Sequence, residues 1–262
     1  MPSERLFFAA EITAAWPEEL PQGRLIEPEL RHLTLAFLGM ANREELIKAL
    51  DELPLPSWTI GPAGILDEWL FLPEKSPHVV AMHATLLEQN LLSYQQIVSE
   101  WFLKRQFLKT IDPRFLAHVS IARDPSDQTA WAALPSQIPF FIRGVGLFKS
   151  LGHSNYEIIW HKENVPPFEE IEHTADIAYH IRGNSFSDLM LHAVLALAFS
   201  FPAFSRYLKN IPSCNSINDI VSQLNRWTSE IDQQEGIGLK AVSYHAKLEK
   251  KPYLEWTMIV DV

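Results

Sequence analysis

The sequence predicts an α+β protein of two consecutive units, a larger bilobal one followed by a smaller one. Three observations carry this. The segments His32-Leu-Thr-Leu-Ala-Phe37 and His118-Val-Ser-Ile-Ala-Arg123 nearly repeat each other, 86 positions apart, with similar elements around each. Val165-Pro-Pro-Phe168 then breaks the pattern as a linker. A chain of 262 residues accommodates one large or two modest domains. The expected division is 1–165 and 166–262.

Taken in order, Arg5–Ile12 reads as a buried strand, with Pro17 and Pro21 in the loop after it. Arg31–Leu38 is a second strand, closed by Gly39. Asn42–Leu53 has helical spacing at Leu46, Ile47 and Leu50, with Asn42 as cap. His78–His83 is a short strand, and Thr85–Phe107 reads as a long amphipathic helix. Ala117–Ala122, Phe140–Phe148 and Tyr156–Trp160 complete the first unit as strands. In the second unit, Phe168–Ile181 has a strand pattern. Ser185–Phe199 is a helix capped by Ser185 and ended by Pro202, with one stripe at Leu189, Met190, Ala193, Val194 and Leu197. Ile217–Trp227 is a further helix, and Lys240–His245 and Glu255–Val262 are the closing strands.

The formal net charge is −10, with 14 basic against 20 acidic residues up to Val165 and 8 against 12 after it. A globally basic nucleic-acid surface is excluded, so any RNA contact must be local. The single Cys214 has no disulfide partner, which fits a reducing, cytoplasmic setting. The apolar runs Leu6–Ala10 and Leu189–Phe201 are too short for a membrane span, so no membrane association is expected.

Strand periodicity places His32 with Thr34, and His118 with Ser120, on one strand face each. Two such strands in one cleft would offer two imidazoles and two hydroxyls to one phosphate ester. Arg123 would add charge for the phosphate. Arg31, on the opposite face from His32, reads as solvent-exposed, and Phe8 as core. His78, His83, His153 and His161 read as structural or exposed.

Together with Arg5-Leu-Phe-Phe-Ala9, Leu147-Phe-Lys-Ser150 and Tyr156, the paired motifs resemble the 2H phosphoesterase superfamily over residues 4–162. The nearest branch is the RNA 2′,3′-cyclic phosphodiesterases, formerly called 2′–5′ RNA ligases. Ala117 stands where that family usually has proline, and Ser120 where it usually has threonine. The resemblance implies a bilobal fold of two antiparallel sheets with flanking helices. It implies hydrolysis of 2′,3′-cyclic phosphate RNA ends to 2′-phosphomonoesters, without a cofactor. His118 would be base and His32 acid, and Thr34, Ser120 and Arg123 would hold the phosphate.

In the second unit, Asp176, Asp261 and the Val262 carboxylate would form an oxygen-rich cluster if the first and last strands were neighbours. Phe168-Glu-Glu-Ile-Glu-His-Thr-Ala-Asp-Ile177, Lys240-Ala-Val-Ser-Tyr-His245 and Ile259-Val-Asp-Val262 resemble archease, the factor that assists the tRNA-splicing RNA ligase. The resemblance implies a calcium or magnesium site at Asp176, Asp261 and Val262, with Lys240 at the functional surface and an RNA ligase as partner. The stretch from Trp227 to Lys240 is too short for the strands that family carries there. Two other readings remain open from the residues. One is action on small cyclic nucleotides or 2′–5′ oligonucleotides. The other is a non-catalytic adaptor for RNA ends or the ligase.

Overall fold

The computed structural model describes residues 3–172, 176–250 and 252–262, without the side chains of 245–247 and 250. Two compact units divide the chain, Met1–Asn164 and Val165–Val262.

The first unit contains β1 (Ser3–Ala14), β2 (Arg24–Leu25), β3 (His32–Asn42), α1 (Arg43–Ala49), β4 (Ala63–Leu72), β5 (Val79–Leu86), α2 (Leu91–Lys104), β6 (His118–Arg123), α3 (Gln128–Ala132), β7 (Ile138–Gly152) and β8 (Asn155–Glu163). All its strand pairs are antiparallel. They form two lobes, β3-β1-β7-β8 and β4-β5-β6-β2, and the lobes join twice into one 8-stranded system. On one side β7 pairs with β4 over Ile138–Phe141. On the other a single bridge, Leu33↔Val119, joins β3 to β6. This second join brings the two histidine motifs together.

The core follows from alternation. Phe8 and Ala10 of β1, Leu33 and Leu35 of β3, and Val119 and Ile121 of β6 pack in one cluster with Val98 and Phe102 of α2. Asn42 caps α1, its Oδ1 accepting from the amides of Glu44 (3.1 Å) and Glu45 (3.4 Å). Gly39 does not end its strand. It sits at φ +70° inside β3, where the register with β1 slips between Leu6 and Phe7. Gly61 lies where the lobes join: a Cβ there would stand 2.1 Å from the carbonyl oxygen of Ile142, so no other residue fits without backbone movement.

The expected helix Thr85–Phe107 is shorter than its pattern. Residues through Leu86 extend β5, and α2 begins only after Asn90, whose side chain accepts from the Ser93 amide (3.0 Å). The reason is tertiary. The strand β4, unread in the sequence, pairs with β5 through Thr85 and Leu86. Thr85 Oγ1 also donates to Asp67 Oδ2 (3.1 Å). Arg31 is a second correction. It is 4% exposed, donates through Nε to Ile26 O (2.9 Å) and lies over Trp16 at 4.5 Å. Burial pulls its pKa down to about 10.

The second unit holds β9 (Phe168–Ile171), β10 (Ile177–Gly183), α4 (Phe186–Ser200), α5 (Ile217–Glu235), β11 (Ala241–Lys250) and β12 (Leu254–Asp261). The sheet order is β11-β12-β10-β9. The expected strand 168–181 is thus two strands, and 173–175 lie outside the described residues. Ser185 caps α4, with its hydroxyl donating to the Asp188 carboxylate (2.9 Å) and accepting from the Asp188 amide (3.1 Å). Every α4 residue from Leu189 to Ala198 is buried, not one stripe alone, because β10 packs on it along with α5 and the turn Pro202–Tyr207. The helix α5 runs to Glu235 and ends at Gly236 in the left-handed region (φ +64°).

Candidate functional site

The Leu33↔Val119 bridge fixes the relation of the two motifs. Both bridged side chains are fully buried. Their neighbours therefore share the opposite face, where the antiparallel register sets His32 alongside Ser120 and Thr34 alongside His118. The register implied by this one bridge is near two-fold, each histidine position facing the other strand's hydroxyl position. Side chains at directly opposed positions have Cβ atoms about 4.5–5.5 Å apart. One phosphoryl group fits such a quartet.

Both rings are oriented in the same way. His32 Nδ1 donates to the Leu30 carbonyl (2.7 Å), and His118 Nδ1 donates to the Leu116 carbonyl (2.8 Å). A carbonyl only accepts, so each neutral ring carries its proton on Nδ1 and keeps its lone pair on Nε2. Nε2 is therefore the atom available for proton transfer in both.

Their surroundings differ. His32 is 9% exposed, inside a cage of Phe7 (centroids 4.7 Å apart), Phe148 (4.9 Å) and Tyr156 (5.0 Å, edge-on). Desolvation there lowers its pKa to about 4; the Leu30 carbonyl opposes the shift, and the charges of His118 and Arg123 reinforce it. His32 is thus neutral at pH 7. His118, Thr34 and Ser120 are only partly buried. Spacing along the sequence does not place these three cage residues beside His32. The available signal was alternation: Phe8 faces the core, so Phe7 faces the other side of β1.

Another unread feature lies beside His118. The register of β5 with β6 pairs His83 directly with His118. His83 Nδ1 is 2.8 Å from Asp67 Oδ1, so a carboxylate–imidazole pair flanks the second motif. Only the β4 strand, missing from the sequence reading, reveals Asp67 as its partner.

Two clefts flank the quartet. One, of about 480 Å³, includes Phe7 and Tyr156 from the His32 cage, with Arg5, Arg24 and Arg123. The other, of about 210 Å³, includes Thr34 and His118. Phe37, 68% exposed, borders both. The first unit therefore combines two imidazoles, two hydroxyls and local positive charge within an acidic chain.

In the second unit, Ile177 pairs with Val260, which brings Asp176 to the level of Asp261 at one end of the sheet. Ala241 pairs with Asp261 from the other side. Lys240 already occupies this end. Its Nζ donates to Val262 O (2.8 Å) and lies 3.4 Å from Asp261 Oδ1. An ammonium group thus sits on two of the expected donors, and among the described residues no group of three or more His, Cys, Asp or Glu side chains is placed to hold a metal. As the side chains stand, this set does not fit a divalent ion. Calcium or magnesium is expected to leave the melting temperature of the wild-type protein unchanged and to raise that of Lys240→Met. A rise in the wild-type protein, read by scanning calorimetry, would show that the ion displaces the ammonium.

No family model and no curated protein matches the chain. Among solved structures, the chain is similar to E. coli LigT, at 21% identity and a TM-score of 0.44, covering 63% of this chain and 99% of that one. A structure described as a phosphoesterase matches with the same values. The protein TT0787 of Thermus thermophilus matches at 19% identity and a TM-score of 0.43, over 61% of this chain and 97% of that one. Among the described residues, no helix is long and apolar enough to cross a membrane.

Proposed function

We propose that the first unit is a phosphodiesterase that opens 2′,3′-cyclic phosphates at RNA ends to give 2′-phosphomonoesters. The observation that carries this reading is the Leu33↔Val119 bridge, which joins the two histidine motifs, with both imidazoles tethered through Nδ1. One neutral imidazole takes a proton from water at Nε2, and the water oxygen bonds to phosphorus. The bond from phosphorus to the ribose 3′ oxygen breaks, and the other ring, protonated, gives its proton to that oxygen. The ring charges are then exchanged, and a proton return between them restores the start. Thr34, Ser120 and Arg123 stabilise the charge on the non-bridging oxygens.

The resting charge state suits His32 as base, because burial keeps it neutral, and leaves His118 as acid. The reverse roles, implied by the family resemblance, require the bound phosphate anion to recharge His32. The test is an RNA oligonucleotide ending in a 2′,3′-cyclic phosphate, incubated in EDTA. Appearance of a 2′-phosphate end is expected; an intact cyclic end sinks the reading.

For the second unit we propose an accessory role toward an RNA ligase that consumes such ends. What supports it is that its opening motif, which starts on β9 and reaches the first residue of β10, and its closing motifs, on β11 and β12, share one sheet. The full chain is expected to change the turnover of an RNA ligase acting on 2′,3′-cyclic ends. Identical turnover with and without it would remove this part.

A further inference from the structure

The 480 Å³ cleft beside the histidine pair shares Arg123 with the proposed hydrolysis of a terminal cyclic phosphate, but its other features are not used there. Three arginines line it, Arg5 on β1, Arg24 on β2 and Arg123 at the end of β6. The ladder places Arg24 directly opposite Arg123. Like charges at directly opposed positions destabilise a sheet. Only one of the two is neutralised: Arg24 Nη2 pairs with Asp124 Oδ2 at 2.9 Å, while Arg123 and Arg5 form no ion pair among the described residues. Asp124 is the one carboxylate among the residues around this cleft. With three arginines against one carboxylate, a bound anion would face a surplus of positive charge.

The backbone makes the same point independently. Four non-glycine residues among those described have positive φ: Gln106, Asp124, His153 and Ser154. Three of them border this cleft. His153 (φ +51°) and Ser154 (φ +65°) are the central residues of the hairpin turn between β7 and β8, closed by the Gly152↔Asn155 pair. Positive φ at both central positions is the pattern of a turn that favours Asn-Gly. This chain keeps His-Ser there instead, and Ser154 Oγ accepts from Arg24 Nη1 at 3.3 Å. The strained turn thus holds a serine against an arginine whose other arm is held by Asp124. Strain of this kind persists where the surroundings over-determine it and clusters at binding sites.

We propose that this cleft is a second anion subsite, which takes the phosphodiester one nucleotide upstream of the cyclic phosphate in a single-stranded RNA end. The proposal rests on the phosphodiesterase reading and names its substrate class: oligonucleotides rather than cyclic mononucleotides. The cleft adjoins the reacting groups, because Phe7 and Tyr156 belong both to it and to the cage around His32. Phe37 at its border provides an exposed aromatic face for a base, the usual companion of a cationic track in single-strand binding. The chain's charge of −10 keeps the footprint short.

The experiment compares kcat/KM for a dinucleotide with a 2′,3′-cyclic end against the corresponding cyclic mononucleotide. A preference for the dinucleotide of roughly 10- to 100-fold is expected, the worth of one charge-assisted contact. Arg24→Gln and Arg5→Gln should each bring the ratio toward one and flatten its dependence on salt. The double variant His153→Asn, Ser154→Gly should melt about 2–4 °C higher, as relief of turn strain predicts, and still lose most of the preference. A misfolded protein would not show that combination. Equal kcat/KM for the two substrates in the wild-type protein overturns the subsite and leaves the hydrolase reading standing. Turnover of neither substrate counts against the hydrolase reading instead. The subsite is then decided by calorimetry, with a dinucleotide 3′-phosphate against a mononucleotide 3′-phosphate as probes. Tighter dinucleotide binding that Arg24→Gln weakens retains it; equal affinities discard it.

Discussion

His118→Ala is expected to lower kcat on a 2′,3′-cyclic RNA end by about 10²–10⁴-fold, the usual worth of one general acid or base. His32→Ala should fall in the same range. The two losses should not add, because proton removal from water and proton delivery to the leaving oxygen are halves of one transfer. The double variant is therefore expected to lie close to the worse single one. Thr34→Val and Ser120→Ala should cost less, since each removes one hydrogen bond to the phosphoryl oxygens and leaves both imidazoles tethered through Nδ1. Purified variants should keep their far-ultraviolet circular dichroism, because His118 is only partly buried and the β3–β6 bridge is carried by Leu33 and Val119. Turnover that survives both histidine substitutions would leave a non-catalytic binder as the better reading.

The pH dependence of kcat/KM separates the roles in the same assay. As base, His32 must be unprotonated in the free protein. With its pKa at about 4, that form persists down to pH 4, and the acidic limb lies there rather than at the ordinary histidine value near 6.5. As acid, His32 would have to be protonated, and at pH 7 only about one molecule in a thousand would be. An acidic limb near pH 4 that His32→Gln abolishes assigns the base to His32. A limb near 6.5 gives that role to another group.

The paired motifs were legible because strand alternation acts within a few residues and because the repeat occurs twice. Placing His32 with Thr34, and His118 with Ser120, needs only a period of two. Their meeting at the Leu33↔Val119 bridge joins residues 86 positions apart, and nothing local encodes it. The same limit explains the errors. Thr85–Phe107 has helical spacing of apolar residues, yet β4 claims Thr85 and Leu86 as strand partners. Arg31 alternates away from the His32 face, which for an edge residue would mean solvent. Here that direction leads to Trp16 and the Ile26 carbonyl, contributed by a loop that periodicity does not position. The aromatic cage has no local signature, because Phe7, Phe148 and Tyr156 come from three strands, and their convergence depends on the β1–β7 and β7–β8 registers. In the second unit, proximity of Asp261 to the start of β10 follows from the sheet order. Lys240's occupation of the carboxylates is a side-chain choice that spacing does not reveal.

Stability should carry the signature of His32 burial. Its pKa is about 4 in the folded chain and about 6.5 when unfolded, so between these values the unfolded chain binds a proton that the folded one does not. Stability therefore falls as pH drops from 6.5 to 4, by about 3 kcal/mol in total, and this contribution is constant above and below that window. His32→Gln removes the group, so its unfolding free energy should lack that part of the slope. Urea unfolding of both proteins at pH 4, 5, 6 and 7 reads the difference directly, and other titrating groups cancel in the comparison. Parallel curves would mean that the cage does not exclude the imidazolium. Inorganic phosphate then connects stability to the site. An anion held by Thr34, Ser120 and Arg123 favours a charged His32, so phosphate should stabilise the wild-type protein more at pH 5 than at pH 8. With His32→Gln, the part of that pH dependence due to His32 should vanish, which no general salt effect would produce.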